Sequence, residues 1–242
     1  MTIAITIFIK DGDYWRLRNN LYSIFEQTRE PDEVIIIDFG SKQENTKRYE
    51  AITYAFSLSG VKIKYIKIDE DTETFHPARM ANRAIEETTC DYIITTDIDV
   101  IFSRNALSLA EREFEKGNFV MCARKDLDEG LTPYFKKSMS MVTQVDWIYD
   151  LTDIELRKGH GSFQGTKVSW LKANGMYDEK FKGWGFYDMD IQYKAQRKGI
   201  SWTWLNDLGM KMIHTYHETL PYRDDTYQKN KDYFFKKYGK DK

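Results

Sequence analysis

Two kinds of apolar spacing alternate along the first half of the chain. Short runs rich in isoleucine and valine predict buried strands, and they cover 2–9, 34–37, 61–68 and the residues leading into Asp97. Between these runs, apolar residues recur at the spacing of amphipathic helices. Those helices begin at Asp13, cover 41–58 and 77–87, and extend from Ser103 as N-cap to Gly117. Strands alternating with helices indicate βαβ units, and hence an α/β fold with a mostly parallel sheet.

The pattern in the second half is less regular. Residues 124–146 have no clear period, which predicts a loop with short strands. Further on, the chain predicts helices over 146–158, 166–173 and 187–198, and strands over 201–205 and 210–214. From Tyr222 the chain is rich in lysine and tyrosine. This is typical of an amphipathic terminal helix with a solvated face, and docking on a membrane surface is the alternative.

Composition narrows the class of protein and of partner. The 242 residues suffice for one large domain, or one and a half small ones, with a sizeable core. A net charge of −2 and a pI near 6.1 argue against general nucleic-acid binding. Cys90 and Cys122 form no C-x-x-C pair, so we expect reduced core residues of a cytoplasmic protein. No stretch is apolar for long enough to span a bilayer, so any membrane contact is expected to be peripheral.

Two carboxylates, Asp97 and Asp99, follow the fourth apolar run and are separated by one residue. Residues i and i+2 of a strand share a face, so both side chains are expected to point the same way. A cation would relieve their repulsion. Oxygen ligands suit Mg²⁺ or Mn²⁺, which would in turn hold a diphosphate. The alternative is a surface turn with two solvated aspartates. Asp38 ends the second strand at the same sheet edge, where ligands bind in such folds.

A glycine-rich phosphate loop does not follow the first strand. Residues 10–13 match neither the dinucleotide fingerprint nor the Walker loop, and the glycines of 159–165 have the wrong spacing. A phosphate ligand is therefore expected to be held through a metal ion, in agreement with the two aspartates.

A second candidate site is the stretch 183–190, in which Trp184 stands between two glycines. Asp188 falls in the first turn of the following predicted helix, where the helix dipole favours its ionised form. A carboxylate beside a flat aromatic ring could stack a sugar and take a proton from its hydroxyl. The alternative is a tight turn with a core tryptophan and a helix-initiating aspartate.

Two histidines, His214 and His217, follow the last predicted strand. A neutral imidazole at a strand end could complete a metal shell begun by Asp99, and His214 is slightly favoured. The pair lacks the spacing and the glutamate of a helical zinc hydrolase motif. Packed or solvated histidines are the alternative.

Together these elements resemble family 2 glycosyltransferases of the GT-A fold. The resemblance is to the branch whose C-terminal part is shared with β-1,4-galactosyltransferases and chondroitin-type polymerases. It covers nearly the whole chain and rests on the order and spacing of five segments. These are IIIDFGS at 35–41 (family V-V-D-D-G-S), RMANR at 79–83 (A-R-N), the D-x-D at 97–99, NGMYDE at 174–179 (G-G-F-D-E) and GWGFYDMD at 183–190 (G-W-G-x-E-D-x-D).

The resemblance implies one GT-A domain over 1–242, with a Rossmann-like central sheet flanked by helices. Residues 1–123 would bind the nucleotide-sugar, 124–221 would form the less regular acceptor and catalytic half, and 222–242 a basic helix. It also implies Mn²⁺ or Mg²⁺ as cofactor.

Residue roles are implied in the same way. On the donor side, Asp38 would contact the nucleoside, with Arg79 and Asn82 in the A-R-N segment, and Asp97 would lie near the ribose and the metal. Asp99 would bind the metal, and His214, or else His217, would complete the shell. On the acceptor side, Trp184 and Tyr187 would line the site and Asp188 would be the catalytic base.

Three positions depart from the family pattern. Phe39 replaces the second aspartate of the nucleotide segment, so the pattern does not decide whether the donor carries UDP or GDP. Ala81 stands where the arginine of A-R-N is expected, with Arg79 and Arg83 close by. Tyr187 replaces the acceptor-binding glutamate, so the acceptor is open as well.

The function implied is an inverting, metal-dependent transfer of a hexosyl or N-acetylhexosaminyl group. The donor would be a nucleotide-sugar, with a UDP-sugar favoured, and the acceptor a glycan or another hydroxyl compound. Two alternatives stay open: a sugar-phosphate nucleotidyltransferase, and a non-catalytic sugar-binding or scaffold subunit of the same fold.

Overall fold

The computed structural model describes residues 1–69, 74–218 and 223–239. Its first half alternates strands and helices, as predicted. The elements are β1 (Ile3–Ile9), α1 (Tyr14–Phe25), β2 (Glu33–Phe39), α2 (Gln43–Ser57), β3 (Lys62–Ile68), α3 (Pro77–Glu87) and β4 (Tyr92–Asp97). The four strands are mutually parallel, with β1 between β2 and β4. In this register Ile9 pairs with Asp38 and Phe8 with Asp97, so the two predicted aspartates end the strands on either side of β1, at the same edge of the sheet.

Three further strands extend this sheet beyond β4. After β5 (Val100–Phe102) and α4 (Ala106–Glu115), the chain adds β6 (Phe119–Met121), β9 (Phe163–Lys167) and β10 (Trp202–Trp204). The order is β10-β6-β9-β4-β1-β2-β3, and β9 is antiparallel to both of its neighbours. This mixed α/β architecture confirms the predicted fold class. Ser103 does not cap α4, which begins after Asn105; its hydroxyl bonds to Asn105 and to the backbone of Lys211 instead.

Helices cover both faces of the large sheet. On one face, alternate residues of β1 such as Ile5 and Ile7 pack with α1, α2 and α4. On the other, Ala4 and Phe8 pack with α3 and with three later helices, α7 (Val168–Ala173), α8 (Tyr187–Arg197) and α9 (Arg223–Tyr238). β1 and β2 are buried along their whole length, which explains their mainly apolar sequences. The edge strand β3 is only partly buried and contains three lysines.

A second, four-stranded sheet has the order β5-β11-β7-β8. It is built from β5 with three short strands, β7 (Arg124–Asp126), β8 (Leu156–Arg157) and β11 (Met212–His214). The chain enters this sheet directly after Asp99, because β5 follows β4 through a turn. The two sheets therefore meet at the D-x-D segment.

Residues 124–158 differ from the prediction. The expected loop contains two 3-10 turns, Glu129–Leu131 and Met139–Gln144, and the helix α5 (Thr132–Lys137). The helix expected over 146–158 is shorter, α6 (Val145–Leu151). Frequent changes between 3-10 and α geometry prevent any long period, which explains why the pattern looked irregular. Phe135 and Val145 nevertheless bury their side chains against Trp15.

The helix expected over 166–173 is also partly wrong, because its first residues belong to β9. Gly165 and the polar residues beside it gave no strand pattern. They form a central strand because β4 and β6 pair with both edges of β9. Asn174 and Gly175 end α7 as predicted, with Gly175 at a φ of 75°.

Gly165 provides a test of this packing. A Cβ at this position would lie 2.7 Å from Ile94 Cγ1 and 2.9 Å from the Ile93 carbonyl oxygen, which is backbone and cannot move aside. We expect Gly165→Ala to destabilise the protein by about 1–3 kcal/mol and to lower the melting temperature by roughly 2–4 °C per kcal/mol. Gly130→Ala is the control, since nothing lies within 4 Å of a Cβ there. Equal melting temperatures for the two variants would contradict the packing described.

Cys90 and Cys122 are buried and form no disulfide, as predicted. Within the described residues, no helix combines the length and apolar character needed to cross a bilayer.

Candidate active site

The turn that carries Asp99 joins the two sheets. Because β4 ends at Asp97, strand alternation does not place Asp99, contrary to the sequence argument. Hydrogen bonds place it instead: Thr215 donates to the Asp99 carbonyl from its backbone N (2.9 Å) and its hydroxyl (3.1 Å). On the other side, the buried Asn20 Nδ2 donates to the carbonyls of Asp97 (3.1 Å) and Val100 (2.8 Å). The turn is thus held from both sides.

The register of β11 brings both late histidines to Asp99. His214 is paired with Val100 of β5 and with Asp126 of β7. Its Nε2 lies 3.4 Å from Asp99 Oδ1, and His217 Nε2 lies 3.0 Å from Asp99 Oδ2. One ligand atom from each of the three residues lies within 4.8 Å of the other two, and no other group of three such side chains among the described residues has this spacing.

The donor set fits a divalent cation. Asp99 Oδ1 is buried and accepts no hydrogen bond, so it has an electron pair to offer. One carboxylate and two imidazoles are acceptable ligands for Mn²⁺. Asp97, the fourth predicted ligand, is not part of the group of three. The structure therefore brings together Asp99, His214 and His217, and both histidines stay predicted ligands.

Charge is unevenly distributed over this cluster. Although burial opposes protonation, the Asp99 and Asp126 carboxylates raise the pKa of His214 to about 9. The hydrogen bond with Asp99 also raises the pKa of His217. Burial opposes the ionisation of Asp99, but the two imidazoles hold its pKa well below the usual range. Without a metal ion, protonation of His214 and ionisation of Asp99 therefore stabilise each other.

This arrangement predicts a pH dependence of stability in the metal-free protein. The His214 pKa of about 9 lies above the value of about 6.5 in an unfolded chain. Its contribution to stability is therefore complete below pH 6.5 and is lost as the pH rises towards 9. In chelator, we expect the melting temperature to fall by several degrees across this window. His214→Asn should lose most of that slope, and an unchanged slope in the variant would contradict the assignment.

Asp126 and Arg124 support the cluster from behind. Asp126 Oδ1 lies 3.2 Å from His214 Nδ1, and Asp126 also binds Arg124 Nε (2.7 Å) and Arg157 Nη1 (2.9 Å). A carboxylate behind a ligating histidine fixes its ring orientation and tautomer. Sequence analysis predicted a loop with short strands over 124–146 but did not place a strand at these two residues. The opposite charges of Arg124 and Asp126, two positions apart, were the available signal.

Asp97 lies close to this cluster, but its pKa is shifted in the opposite direction from that of Asp99. Burial raises its pKa to about 6, and the nearby Asp99 carboxylate adds to the effect. Arg124 and His214 act in the opposite direction. The charges of Asp97 and Asp99 therefore interact, and the role of Asp97 stays a prediction.

Asp188 lies in the first turn of α8, after Phe186, which has a left-handed backbone (φ 67°). Its Oδ1 accepts a hydrogen bond from the backbone N of Met189 (2.9 Å). A Cβ at Gly161 would lie 2.9 Å from both Asp188 Oδ2 and the Tyr187 hydroxyl, so the backbone at Gly161 passes directly over these two groups. Burial raises the pKa of Asp188.

One short segment links Asp188 to the D-x-D. Next to Gly161, the Ser162 carbonyl accepts hydrogen bonds from Thr96 Oγ1 (3.0 Å) and from the backbone N of Asp97 (3.4 Å). The Ser162 hydroxyl is bonded to Arg124. The segment 161–162 therefore contacts both the predicted base and the end of β4 that leads into the Asp99 turn.

A family model decides the classification. The model for glycosyl transferase family 2 matches residues 3–181. The chain belongs to glycosyl transferase family 2. No curated protein sequence matches the chain significantly.

Solved structures of glycosyltransferases share the fold. GalNAc-T7, with UDP, GalNAc and Mn²⁺, aligns over 91% of this chain and 45% of its own, with a TM-score of 0.66 and 15% identity. The mannosyltransferase PcManGT from Pyrobaculum calidifontis, with GDP-Man and Mn²⁺, aligns over 88% and 56% (TM-score 0.61, 15% identity). S. aureus TarS 1-349, in complex with UDP-GlcNAc, aligns over 91% of this chain and 60% of its own, with a TM-score of 0.63 and 13% identity. The fold is therefore GT-A, and the chain spans about half the length of these proteins.

The family 2 match ends before the predicted acceptor segment. Trp184, Tyr187, Asp188 and both histidines lie outside it, so their roles stay predictions. Trp184 is 37% exposed at the surface, and its ring lies 5.2 Å from that of Tyr227. Tyr187 is buried beneath Gly161.

The predicted nucleotide-binding residues Asp38, Arg79 and Asn82 of this family 2 protein lie on β2 and α3, away from the strand β4 that leads to Asp99. The buried Asp38 carboxylate accepts hydrogen bonds from Ser41 N (3.0 Å), Thr46 Oγ1 (3.3 Å) and the Tyr65 hydroxyl. The carboxylate thus has three partners within the protein and is fully buried. The role of Asp38 stays a prediction.

Arg79 and Asn82 line an open groove of about 510 Å³ together with residues of β3, α3 and the loop at Glu179. Asn82 is nevertheless engaged internally. Its Oδ1 accepts a hydrogen bond from the backbone N of Tyr177 (2.9 Å). Its Nδ2 donates to the Tyr177 carbonyl (3.0 Å) and to Glu179 Oε1 (2.9 Å). It thereby fixes the loop that precedes α8, and any substrate contact would come in addition.

Proposed function

We propose that this chain is an inverting, metal-dependent glycosyltransferase that moves a sugar from a nucleotide-sugar to an acceptor hydroxyl. The segment Gly161–Ser162 carries the proposal: Gly161 passes over Asp188, and the Ser162 carbonyl accepts hydrogen bonds from Thr96 and Asp97, just before the turn of Asp99. The Ser162 hydroxyl is bonded to Arg124, which binds Asp126 behind His214. A base and a cation site linked through one segment suit the two ends of a displacement at an anomeric carbon.

Asp99, His214 and His217 would hold the metal ion, with Asp126 orienting His214. Mn²⁺ or Mg²⁺ bound there would neutralise the charge that develops on the leaving diphosphate. Mn²⁺ is favoured for two reasons: imidazole ligands suit it better than Mg²⁺, and the structures of GalNAc-T7 and PcManGT contain Mn²⁺.

Asp188 would act as the general base. It would accept the proton of the acceptor hydroxyl while that oxygen bonds to the anomeric carbon, and the bond from this carbon to the diphosphate oxygen would break on the opposite face. Configuration is thereby inverted. Burial raises the pKa of Asp188, and a base whose pKa approaches the working pH is stronger while still ionised.

The donor would lie across the ends of β1, β2 and β4. Asp38, Arg79, Asn82 and Asp97 are the proposed donor-binding residues. The neighbours include proteins with UDP or UDP-GlcNAc and one with GDP-Man, so the transferred group, hexosyl or N-acetylhexosaminyl, and the base of the donor are to be found by experiment. In this proposal residues 1–123 would bind the donor, 124–221 would complete the site, and the C-terminal segment 222–242, which contains α9, would belong to the same domain. A cytoplasmic location and a glycan acceptor are part of the same proposal.

A panel of nucleotide-sugars tests the function. Thermal stabilisation is measured with each compound in Mn²⁺ and again in chelator, because a ligand at 100 times its Kd adds about 2.7 kcal/mol. We expect stabilisation by one donor class, in Mn²⁺ only, and slow release of a nucleoside diphosphate. Release of pyrophosphate from a sugar phosphate and a nucleoside triphosphate would instead identify a nucleotidyltransferase. Binding without any turnover, even with acceptors, would identify a non-catalytic subunit.

A further inference from the structure

The C-terminal helix α9 holds the turn that carries Trp184. Asn230, only 4% exposed, donates from Nδ2 to the carbonyls of Lys182 (2.9 Å), Trp184 (3.1 Å) and Gly185 (3.0 Å). The Thr226 hydroxyl accepts from the backbone N of Trp184 (3.1 Å). Both backbone polar groups of Trp184 are therefore bonded to α9, which fixes the direction of its side chain.

The two glycines of this turn are fitted to the same helix. Gly183 and Gly185 have φ values of 69° and 87°, which favour glycine. A Cβ at Gly183 would lie 2.5–2.8 Å from the Thr226 side chain, and one at Gly185 would lie 3.0 Å from the Tyr227 ring. The G-W-G pattern thus reflects close contact with α9 as well as local backbone shape.

The far end of α9 is anchored by charge. Lys237 Nζ lies 2.7 Å from Asp178 Oδ2 and 2.6 Å from Asp190 Oδ1, and the Tyr238 hydroxyl donates to Asp190 Oδ1 (2.8 Å). Asp190 is fully buried and belongs to the first turn of α8, two residues after Asp188. The helix is therefore fastened both to the Trp184 turn and to the helix that carries the proposed base.

Two aromatic rings stay partly open where α9 meets this turn. Trp184 is 37% and Tyr227 36% exposed, and their ring centroids are 5.2 Å apart with a 39° angle between the planes. The neighbouring rings of Phe186 and Phe234 are almost fully buried. Aromatic faces of this size gain free energy by covering the C–H face of a pyranose ring, through burial and dispersion.

We infer that α9 forms one wall of the acceptor site, in which Tyr227 and Trp184 together bind a pyranose ring of a carbohydrate acceptor. Asn230 is the positioning residue that holds Trp184 for this contact. The inference rests on the proposed function, and it lies outside the segment matched by the family model. It assigns the tail a role in recognition of the acceptor.

The test measures binding of simple pyranosides in the presence of Mn²⁺ and UDP or GDP. The probes are the methyl β-glycosides of glucose, galactose and N-acetylglucosamine, followed by saturation-transfer NMR titration. We expect one of them to bind, and Tyr227→Leu, which keeps apolar volume without the ring, to weaken it about tenfold. Tyr227→Phe should retain binding. Tyr54→Ala, at an exposed tyrosine of α2, is the matched control.

Asn230→Asp provides a second measurement that mere loss of folding would not mimic. It preserves size but places a carboxylate against three carbonyls, so we expect weaker pyranoside binding with unchanged Mn²⁺-dependent nucleotide binding. Failure of all pyranosides to bind, or equal binding by wild type and Tyr227→Leu, would overturn the inference. Nucleotide binding separates the two proposals. If nucleotide binds but Tyr227 has no effect, only the acceptor wall is wrong. If no nucleotide binds in Mn²⁺, the proposed function is wrong.

Discussion

Replacing Asp188 by Asn is expected to abolish sugar transfer while leaving nucleotide affinity almost unchanged. The amide keeps the shape of the side chain and can still accept the hydrogen bond from Met189 N, but it cannot take a proton from an acceptor hydroxyl. Loss of a general base costs about 10²–10⁴ in rate, so the expected fall in kcat is about 10³-fold. The measurement is initial-rate transfer with the donor found in the nucleotide-sugar panel, together with Mn²⁺-dependent thermal stabilisation by that donor.

Asp153→Asn is the matched control, because Asp153 is exposed and the substitution removes the same charge. It should leave kcat within a factor of about two, as surface substitutions generally have small effects. Retention of turnover by Asp188→Asn would remove Asp188 as the base. The next candidate would then have to be sought among the groups that border Gly161.

Replacing Asp99 by Ala is expected to eliminate the metal-dependent part of nucleotide binding. Asp99 faces both His214 and His217, and without it the two imidazoles keep no anionic partner within the group of three. The stabilisation of about 2.7 kcal/mol that wild type gains at 100 times Kd should therefore disappear in Mn²⁺. Thermal melts with nucleotide, in Mn²⁺ and in chelator, measure the difference directly.

Asp126→Asn gives the graded comparison. Asp126 touches His214 but is not a member of the group of three, so its loss should weaken metal affinity by about 10–100-fold rather than abolish it. If chelator leaves wild-type nucleotide binding unchanged, or if Asp99→Ala binds as wild type does in Mn²⁺, the metal site is refuted.

The sequence predicted best those elements whose residues are buried throughout or whose ends carry a clear local signal. In β1 and β2 every residue is buried, so an uninterrupted apolar run was sufficient evidence. Between Pro77 and Glu87 the predicted helix agrees with the structure residue for residue, because proline at the first turn marks the start. Local signals and tertiary packing agree in these elements.

The elements that the sequence did not predict depend on distant partners. Gly165 is in a strand only because β4 and β6 pair with it on both sides. The short strand β7 is polar along its whole length and owes its conformation to β11 and β8. Neither has a hydrophobic period of its own, so periodicity could not locate either strand.

The candidate site shows the same division. Asp97, Asp99 and Asp188 follow or begin regular elements and were recognisable, and both histidines were kept as candidates. Asp126 and Arg124 escaped notice because β7 was not predicted. Asn20, which holds both ends of the Asp99 turn, lies inside an ordinary helix, and only the folded chain reveals what it bonds to.

The junction of the two sheets at the Asp99 turn has a further consequence. The strands that border the proposed donor pocket belong to the seven-stranded sheet, whereas His214 and its partner Asp126 belong to the four-stranded one. Changes in the small sheet can therefore adjust how firmly a cation is held without altering the surface that selects the nucleotide. In the proposed enzyme, affinity for the ion and choice of donor would then be separate properties, each open to independent tuning during evolution or engineering.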